Sequence, residues 1–367
     1  MLANLKLKNF RNYEHAEISL SPTLNIITAP NGYGKTNLLE AIYLCGFGKS
    51  FRGINQRFVN FDAEFARIEA SAPERTKITI VIQADGTKKI TLNEKGINKL
   101  SELLGYFPIT YIGPGEIAVV SGPPSIRRKM MDAHICQFDP IYTETLISYH
   151  KILKRRNAAL KGIAEQTIAG GMILLDTLED QLANYGAKII AERMKFLDAI
   201  SPLAADFFST IHGEKAPDIK FIYQSTIQIP QDITKLTTAL KTALESMRRR
   251  DLALFSTTIG PHRDDFTIVI DGLPARRFAS WGQSRMISLA IYFSAAKLTG
   301  DKSRKIPTVL LDDALAELDP ERARNALEIA PTVAQVVAVT PHEMPEVNAV
   351  KTKKFRMPEP GKIEEES

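Results

Sequence analysis

The chain has 367 residues, of which 44% are hydrophobic and 24% charged, a composition typical of a globular protein with two domains or one large head carrying an insertion. No stretch approaches the roughly 18 apolar residues of a membrane span, and the N-terminus has no signal-peptide pattern, so we expect a cytoplasmic protein without membrane contact. Cys45 and Cys136 have no second Cys or His at metal-ligand spacing, so the cysteines predict neither a disulfide nor a zinc site.

The first hundred or so residues alternate short β-prone runs with turns, for example at 2–10 and 77–86. Such alternation is typical of strands joined by tight turns. We therefore expect an antiparallel-rich sheet, wrapped around a strand at 23–28.

That strand leads into a glycine-containing loop, APNGYGKT, and then into apolar residues at helical spacing. Gly32 and Gly34 permit backbone conformations that turn successive N–H groups toward one anion at a helix N-terminus. Lys35 adds a charge for the β- and γ-phosphate oxygens, and the Thr36 hydroxyl suits Mg²⁺. The alternative is a glycine-rich turn with a chance Lys-Thr pair. The predicted nucleotide-binding residues are Ala29, Pro30, Asn31, Gly32, Tyr33, Gly34, Lys35 and Thr36, with Lys35 also catalytic and Thr36 also a metal ligand.

From about residue 123 to 201 the periodicity becomes helical, and the stretch GIAEQTIAGGM divides this region into two long segments. A helical hairpin inserted into an α/β head is the simplest interpretation. We expect a head formed by 1–115 and 216–367 and a helical lobe formed by 116–215.

Basic residues are concentrated in short runs, although the net charge is only +5. The runs are SIRRK, KILKRR, MRRR and a later Arg-Arg pair. Each run alone is typical of a solvated helix face, but four in one chain favour a polyanionic partner, for which DNA backbone phosphates are the natural candidate. The predicted DNA-binding residues are Arg127, Arg128, Lys154, Arg155 and Arg156.

A further helix is expected from about Gly282 to Leu298, and Ser280, Gly282 and Gln283 lie at its start. A helix N-terminus offers free N–H donors and the positive end of the helix dipole. In the ATP-binding-cassette class, such a helix caps the γ-phosphate held by a second subunit. The alternative is an ordinary capped helix.

The run Thr308–Leu311 is apolar or β-branched and predicts a buried parallel strand that ends at two aspartates. Ligands bind at the carboxyl edge of such strands. We expect Asp312 to hold Mg²⁺ and Asp313 to position the attacking water. Adjacent aspartates are also common at helix N-caps, which is the alternative.

Several motifs together resemble the RecF family, bacterial recombination-mediator ATPases related to the heads of SMC proteins. The matching stretches are KNFRNY, NGYGKTNLLEAIY, GKSFR, GPPSIRRKMMD, LKRRNAAL, TTIGPHRDD, SWGQ and DDALAELD. The resemblance implies an α/β fold, an ABC-type P-loop ATPase head (a mixed sheet flanked by helices) with an inserted helical lobe. It also implies ATP and Mg²⁺ as cofactors, an ATP-dependent homodimer, weak DNA-dependent ATPase activity, and binding of single-stranded or gapped DNA. With RecO and RecR, such a protein promotes RecA loading, replication-fork maintenance and the SOS response.

The chain departs from the family pattern at Ala29 and Ala316, and the stretch GPGE at 113–116 leaves the Q-loop residue unplaced. His342 is a candidate switch histidine, whereas His262 has no evident role. Three rival classes are the ATPase subunit of a membrane transporter, an SMC-like tether, for which the helical insert is too short, and an ATP-gated nuclease. No second carboxylate cluster supports a cutting centre, although Asp264 and Asp265 would be the residues to mutate.

Overall fold

The structure is a computed structural model. It describes residues 1–52, 58–74, 76–168, 170–213, 218–347 and 351–366. The strands are β1 (Asn4–Phe10), β2 (Tyr13–Ser19), β3 (Leu24–Thr28), β4 (Phe65–Ser71), β5 (Lys77–Gln83), β6 (Lys88–Leu92), β7 (Lys95–Gly96), β8 (Ile109–Ile112), β9 (Ile219–Gln224), β10 (Asp265–Ile270), β11 (Leu273–Pro274), β12 (Thr308–Asp312), β13 (Gln335–Thr340), β14 (Thr352–Arg356) and β15 (Glu364–Glu365). The α-helices are α1 (Lys35–Phe47), α2 (Pro124–Phe138), α3 (Pro140–Ala164), α4 (Gly171–His212), α5 (Leu236–Leu254), α6 (Ala275–Phe278), α7 (Trp281–Ser303) and α8 (Pro320–Ile329).

The N-terminal strands form an antiparallel sheet in the order β2-β1-β4-β5-β6-β7. Its strands alternate buried and solvent-facing residues, as at Ile78, Ile80 and Ile82 of β5, so only one face packs on the core. The expected antiparallel sheet is therefore confirmed. The strand before the phosphate loop is not part of this sheet: among the described strands, β3 pairs with β13 and β14.

β3 lies in a second, mainly parallel sheet of order β15-β14-β3-β13-β12-β8. Its central strands are buried on both faces. Val337 and Leu310 face a core shared with α1 and the antiparallel sheet, whereas Val336 and Val309 face a core shared with the helices. The double burial explains the continuous apolar runs of these strands, and it places α1 between the two sheets.

The opposite face of the parallel sheet carries the helical layer, in which α4 packs against α3, α5 and α7. Pro140 opens α3, and the Asp139 carboxylate accepts a hydrogen bond from the Tyr142 N–H at 2.9 Å, which separates α2 from α3. The hairpin of α3 and α4 matches the expected helical segments. α5 was not expected, and it packs on α3 and α4 although it lies beyond residue 215.

The division into a head (1–115 and 216–367) and a helical lobe (116–215) stays a prediction, and its boundary at 215/216 lies outside the described residues. We propose to extend the lobe to include α5. The Pro-, Gly- and Glu-rich composition after Met357 predicts a frayed tail. That prediction is wrong, because the Gly361 N–H donates to Tyr33 O at 3.1 Å and β15 pairs with β14. No described helix combines the length and apolar character needed to cross a bilayer.

Buried ion pairs join the helical layer to the three-stranded sheet β11-β10-β9. Arg127 of α2 donates through Nε and Nη2 to both carboxylate oxygens of Asp265, at 2.6 and 2.8 Å. Asp132, also on α2, accepts two hydrogen bonds of 2.9 Å from Arg193 of α4. Bidentate geometry fixes orientation as well as distance, so these pairs set how α2 lies against its neighbours.

His262 fastens the loop before β10 to α3. Its Nε2 lies 3.0 Å from Thr257 O, which can only accept, so Nε2 carries the proton. The Tyr149 hydroxyl then donates to Nδ1 at 2.7 Å. Burial lowers the pKa of His262 to about 4, which keeps the ring neutral and the two hydrogen bonds compatible. His262 thus has a structural role.

A fully buried arginine links α3, α4 and α5. Arg156 lies 2.8 Å from Glu179 Oε1 and 2.6 Å from Asp251 Oδ2, and it donates to Thr257 Oγ1 at 2.9 Å. Arg156, Glu179 and Asp251 are each 0% exposed. Glu179 is also bound by Arg248, whose Nε donates to Glu179 Oε2 at 2.9 Å. Without Arg156, Asp251 would lose its buried counter-charge, and an unpaired buried charge is costly.

We expect Arg156→Ala to lower the free energy of unfolding by about 3–5 kcal/mol because it leaves the buried Asp251 carboxylate without its counter-charge. The neighbouring Arg155 is exposed, and Arg155→Ala should change the same quantity by less than about 0.5 kcal/mol. Urea unfolding followed by circular dichroism measures both. Equal stability of the two variants would contradict the structural role assigned to Arg156.

Candidate nucleotide-binding site

The phosphate loop connects the end of β3 to the start of α1, and two of its glycines have positive φ. Gly32 has φ +87° and Gly34 has φ +106°, a region that side chains with a Cβ rarely adopt. A Cβ on Gly34 would also lie 2.4 Å from the Asn12 side chain. These conformations leave the N-terminus of α1 free of any side-chain cap, so its N–H groups are available to an anion.

Lys35 points back into this loop. Its Nζ donates to Ala29 O at 2.5 Å, to Pro30 O at 3.0 Å and to Asn31 Oδ1 at 3.3 Å. Burial lowers the pKa of the Lys35 ammonium, while Asp313 and Asp312 act in the opposite direction. A cation desolvated in this way is favourably placed to pair with phosphate oxygens.

The stretch KNFRNY supports the loop from behind. The Asn12 side-chain amide donates to Tyr33 O at 2.9 Å, and the Tyr13 hydroxyl donates to Gly34 O at 3.0 Å. Arg11 binds the buried Glu40 of α1 through two hydrogen bonds of 2.9 and 3.0 Å. These residues therefore hold the loop and α1 in place.

Thr36 and Asp312 meet at the carboxyl edge of the parallel sheet. Thr36 Oγ1 donates to Asp312 Oδ1 at 3.0 Å, and the Tyr111 hydroxyl donates to Asp312 Oδ2 at 2.9 Å. Burial raises the pKa of the Asp312 carboxyl, and both hydrogen bonds act against that shift. A hydroxyl beside a desolvated carboxylate is an all-oxygen donor set that suits Mg²⁺, so the predicted metal ligands fit the metal.

Asp313 adopts a left-handed conformation, with φ +54°, which is uncommon for a residue with a side chain. Its N–H donates to Val339 O at 3.0 Å. Its buried Oδ1 has no hydrogen-bond partner among the described residues. Asp313 and His342 both line a cavity of about 490 Å³. Strained, unsatisfied polar groups of this kind are concentrated at functional sites.

Ser280 begins α7 with a capping box. Ser280 Oγ accepts from the Gln283 N–H at 3.2 Å, and the Ser280 N–H donates to Gln283 Oε1 at 2.8 Å. The next residue, Trp281, is 66% exposed and donates through Nε1 to Glu317 at 2.5 Å. Within the described ranges, no hydrogen bond joins Ser280, Gly282 or Gln283 to the phosphate loop. Ser280 and Trp281 at the start of α7 are exposed, and Gly282 and Gln283 are half-buried.

The structure contradicts two of the predicted DNA contacts. Arg127 is 3% exposed and held by Asp265, and Arg156 is 0% exposed within its carboxylate pair. Buried guanidinium groups already paired with carboxylates cannot reach a phosphate. Arg128 is half-buried, with Nη1 bonded to Asp264 O at 2.7 Å, whereas Lys154 and Arg155 on α3 are exposed.

Sequence reasoning missed Asn12 and Tyr13, which support the phosphate loop, and Tyr111, which binds Asp312. It also missed the hydrogen bond between Trp281 and Glu317. Asn12 and Tyr13 lie in the KNFRNY motif, which was noted without a role. The Tyr111 hydroxyl reaches Asp312 because β8, which carries Tyr111, is the parallel neighbour of β12.

Glu116 lies in the stretch GPGE after β8, and burial raises the pKa of its carboxyl group. Together with Tyr111 it lines a cavity of about 130 Å³.

Comparison with known proteins is consistent with this geometry. The family model described as "RecF/RecN/SMC N terminal domain" matches residues 1–362. "DNA replication and repair protein RecF" of Clostridium perfringens (strain 13 / Type A) is 35% identical over 345 residues, covering 92% of each chain. The corresponding protein of Clostridium botulinum (strain Okra / Type B1) is 34% identical over 343 residues, again covering 92% of each.

Solved structures show the same relationship. "Structure of the recombination mediator protein RecF-ATPrS in RecFOR pathway" superimposes with a TM-score of 0.88 at 30% identity, covering 100% of this chain and 98% of that one. An SMC head domain from Pyrococcus furiosus, bound to the C-terminal domain of ScpA, has a TM-score of 0.59 at 17% identity, covering 100% and 96%. That second likeness is one of fold, an ABC-type ATPase head. The chain belongs to the RecF family, within the wider group of RecF, RecN and SMC N-terminal domain proteins.

Proposed function

We propose that the protein is an ATP-dependent DNA-binding clamp, in which two copies of the chain enclose ATP and thereby present a joint surface to DNA. The observation that supports this proposal most strongly is the 3.0 Å hydrogen bond from Thr36 to Asp312. It joins the phosphate loop to the end of β12, where the candidate metal-binding carboxylate lies. The relatives with ATP or an ATP analogue named in their descriptions support the choice of nucleotide.

In this proposal the loop 29–36 holds the phosphates through main-chain N–H groups, and Lys35 neutralises the β and γ oxygens. Thr36 and Asp312 would hold Mg²⁺, which offsets negative charge as the terminal phosphate is released. Asp313 orients the attacking water. Its carboxylate is one methylene shorter than a glutamate, so we expect slow hydrolysis, which acts as the release step.

The exposed start of α7 supplies the second half of each site. Ser280, Gly282 and Gln283 would cap the γ-phosphate held by the partner subunit, because the positive end of a helix dipole suits that anion. The capping box engages the Gln283 N–H, so the Ser280 hydroxyl would turn from that N–H to the phosphate. The exposure of Ser280 and Trp281, with no hydrogen bond from the described residues of this start to the phosphate loop of its own chain, supports capping across a dimer.

Lys154 and Arg155 are our candidates for contact with single-stranded or gapped DNA. Pairing two subunits would double the number of such contacts, which strengthens binding and steepens its dependence on salt. Family membership further supports recombinational repair in the cytoplasm, with RecO and RecR as partners in RecA loading, fork maintenance and the SOS response. We propose a weak ATPase activity stimulated by DNA.

The nuclease alternative gains no support from the described residues. Asp264 accepts hydrogen bonds from the Tyr223 hydroxyl and from the Thr226 N–H, at 2.9 and 2.7 Å, and Asp265 is paired with Arg127. Within the described ranges, no group of three His, Cys, Asp or Glu side chains is arranged to hold a metal. Neither the transporter nor the tether alternative is favoured by a specific contact.

Asp313→Asn should retain ATP binding and nucleotide-dependent association but reduce the turnover number at least about tenfold, because the amide is a much weaker partner for the attacking water. Turnover by the wild-type chain without DNA should also be slow. Phosphate release and nucleotide binding are measured on the same preparations. Unchanged turnover in Asp313→Asn, or wild-type turnover of many ATP per second, would refute the assignment.

Capping across the dimer predicts complementation between two inactive variants. Lys35→Ala should bind ATP poorly, and Ser280→Arg should bind ATP but block the cap, so neither should dimerise alone. An equimolar mixture retains one complete composite site, formed by ATP on the Ser280→Arg chain and the intact α7 start of the Lys35→Ala chain. Light scattering after size-exclusion chromatography with ATP should therefore detect a heterodimer.

The matched control is the double variant, which carries both changes in one chain and offers no complete site when mixed with itself. A mixture of the single variants that remains monomeric at every accessible concentration would contradict capping in trans.

Lys154→Glu combined with Arg155→Glu should weaken DNA binding and reduce the slope of log affinity against log salt by about 2, because roughly two phosphate contacts are lost. ATP binding should be unaffected. Lys6→Glu, at an exposed site on the antiparallel sheet, is the charge control and should bind DNA normally. Fluorescence anisotropy with a gapped duplex across a salt series measures both the affinity and the slope. An unchanged slope in the double variant would exclude Lys154 and Arg155 as DNA contacts.

A further inference from the structure

A groove of about 500 Å³ lies between α2, α3, the end of α1 and the short 3₁₀ turn at Leu100–Glu102. One wall is a single face of α3, whose lining residues recur at helical spacing: Thr143, Leu146, Ile147 and His150. The opposite wall is formed by α2 residues from Ser125 to Cys136, a length of roughly 16 Å at 1.5 Å per residue. The nucleotide chemistry uses none of these residues.

Aliphatic side chains in this groove remain open to solvent. Ile147 is 56% exposed and Leu100 is 43% exposed, and the half-buried Leu104 and Leu146 also line the groove. Large apolar side chains clustered in a concave site are typical of a surface that receives a partner.

The rim of the groove is positively charged. Lys49, Arg128 and Lys129 line it, and none of the three forms a salt bridge with another described residue. The acidic lining residue Asp132 is already engaged by Arg193 at 2.9 Å. The charges left for a ligand are therefore cationic, and complementarity calls for an acidic one.

The apolar lining distinguishes an acidic peptide from single-stranded nucleic acid. Bases bind by stacking on open aromatic faces, but Tyr43 and Phe47 in the groove are only 7% and 5% exposed. Among the lining residues, the His150 imidazole is the one exposed ring, too little for a run of stacked bases. The accessible surface is aliphatic, which suits a leucine-sized side chain. An extended peptide advances about 3.3 Å per residue, so about five residues fill the length of the groove.

We propose that this groove is a docking site for a partner protein, which it holds through an extended segment of about five residues with apolar side chains between acidic ones. The apolar side chains insert between Leu100 and Ile147, and the carboxylates face Lys49, Arg128 and Lys129. Docking at this groove is separate from nucleotide capping at the start of α7.

The test uses the full chain and a fluorescein-labelled peptide of eight residues that alternates aspartate with leucine. Fluorescence anisotropy should show saturable binding, whereas a peptide that alternates lysine with leucine should bind at least about tenfold more weakly. Ile147→Glu and Lys49→Glu should each weaken binding of the acidic peptide at least about fivefold. Ile141→Glu is the matched control, because Ile141 lies on the same helix, is 77% exposed and is not part of the groove.

Circular dichroism and ATP binding verify that each variant is folded. If Ile147→Glu does not fold, Lys49→Glu still tests the groove. The proposal is overturned if the acidic peptide does not saturate, if the lysine peptide binds as tightly, or if Ile141→Glu loses as much affinity as Ile147→Glu. It is also overturned if oligo(dT) displaces the peptide and itself binds more weakly to Ile147→Glu, since the groove would then receive single-stranded DNA.

Discussion

The hydrogen bond between Thr36 and Asp312 joins two residues that are 276 positions apart in the chain, and the nucleotide site depends on it. It forms because β3 and β12 both pair in parallel with β13, so their carboxyl ends meet at one edge. Burial of this sheet between two cores fixes that register, since a shift by one residue would exchange the side chains of the two faces. The geometry of the candidate nucleotide site is therefore a consequence of packing far from the phosphate loop.

Three arginines stabilise the interior of the protein through ion pairs. Arg127, Arg156 and Arg193 are buried, and each binds at least one carboxylate. Such pairs are costly to desolvate but strongly favour one arrangement of the elements that they join. They hold α2, α3, α4 and α5 in fixed relation to the strand β10, and the exposed lysines and arginines remain for interactions with other molecules.

Local sequence was sufficient to predict the phosphate loop, the strand ending at Asp312 and the helix starting at Ser280, because each depends on residues close together in the chain. Contacts between distant segments were not predictable in this way. Nothing in the run KILKRR distinguishes the buried Arg156 from the exposed Arg155, since their difference depends on Glu179 and Asp251. Likewise, the support that Asn12 gives to the loop is visible only when both segments are seen in three dimensions.

A nucleotide held between two copies of the chain is the central claim, and sedimentation velocity tests it most directly. The wild-type protein is compared without nucleotide, with ADP, and with a non-hydrolysable ATP analogue plus Mg²⁺. The account predicts monomers in the first two conditions and a dimer in the third. Single subunits at saturating analogue and Mg²⁺ would contradict it.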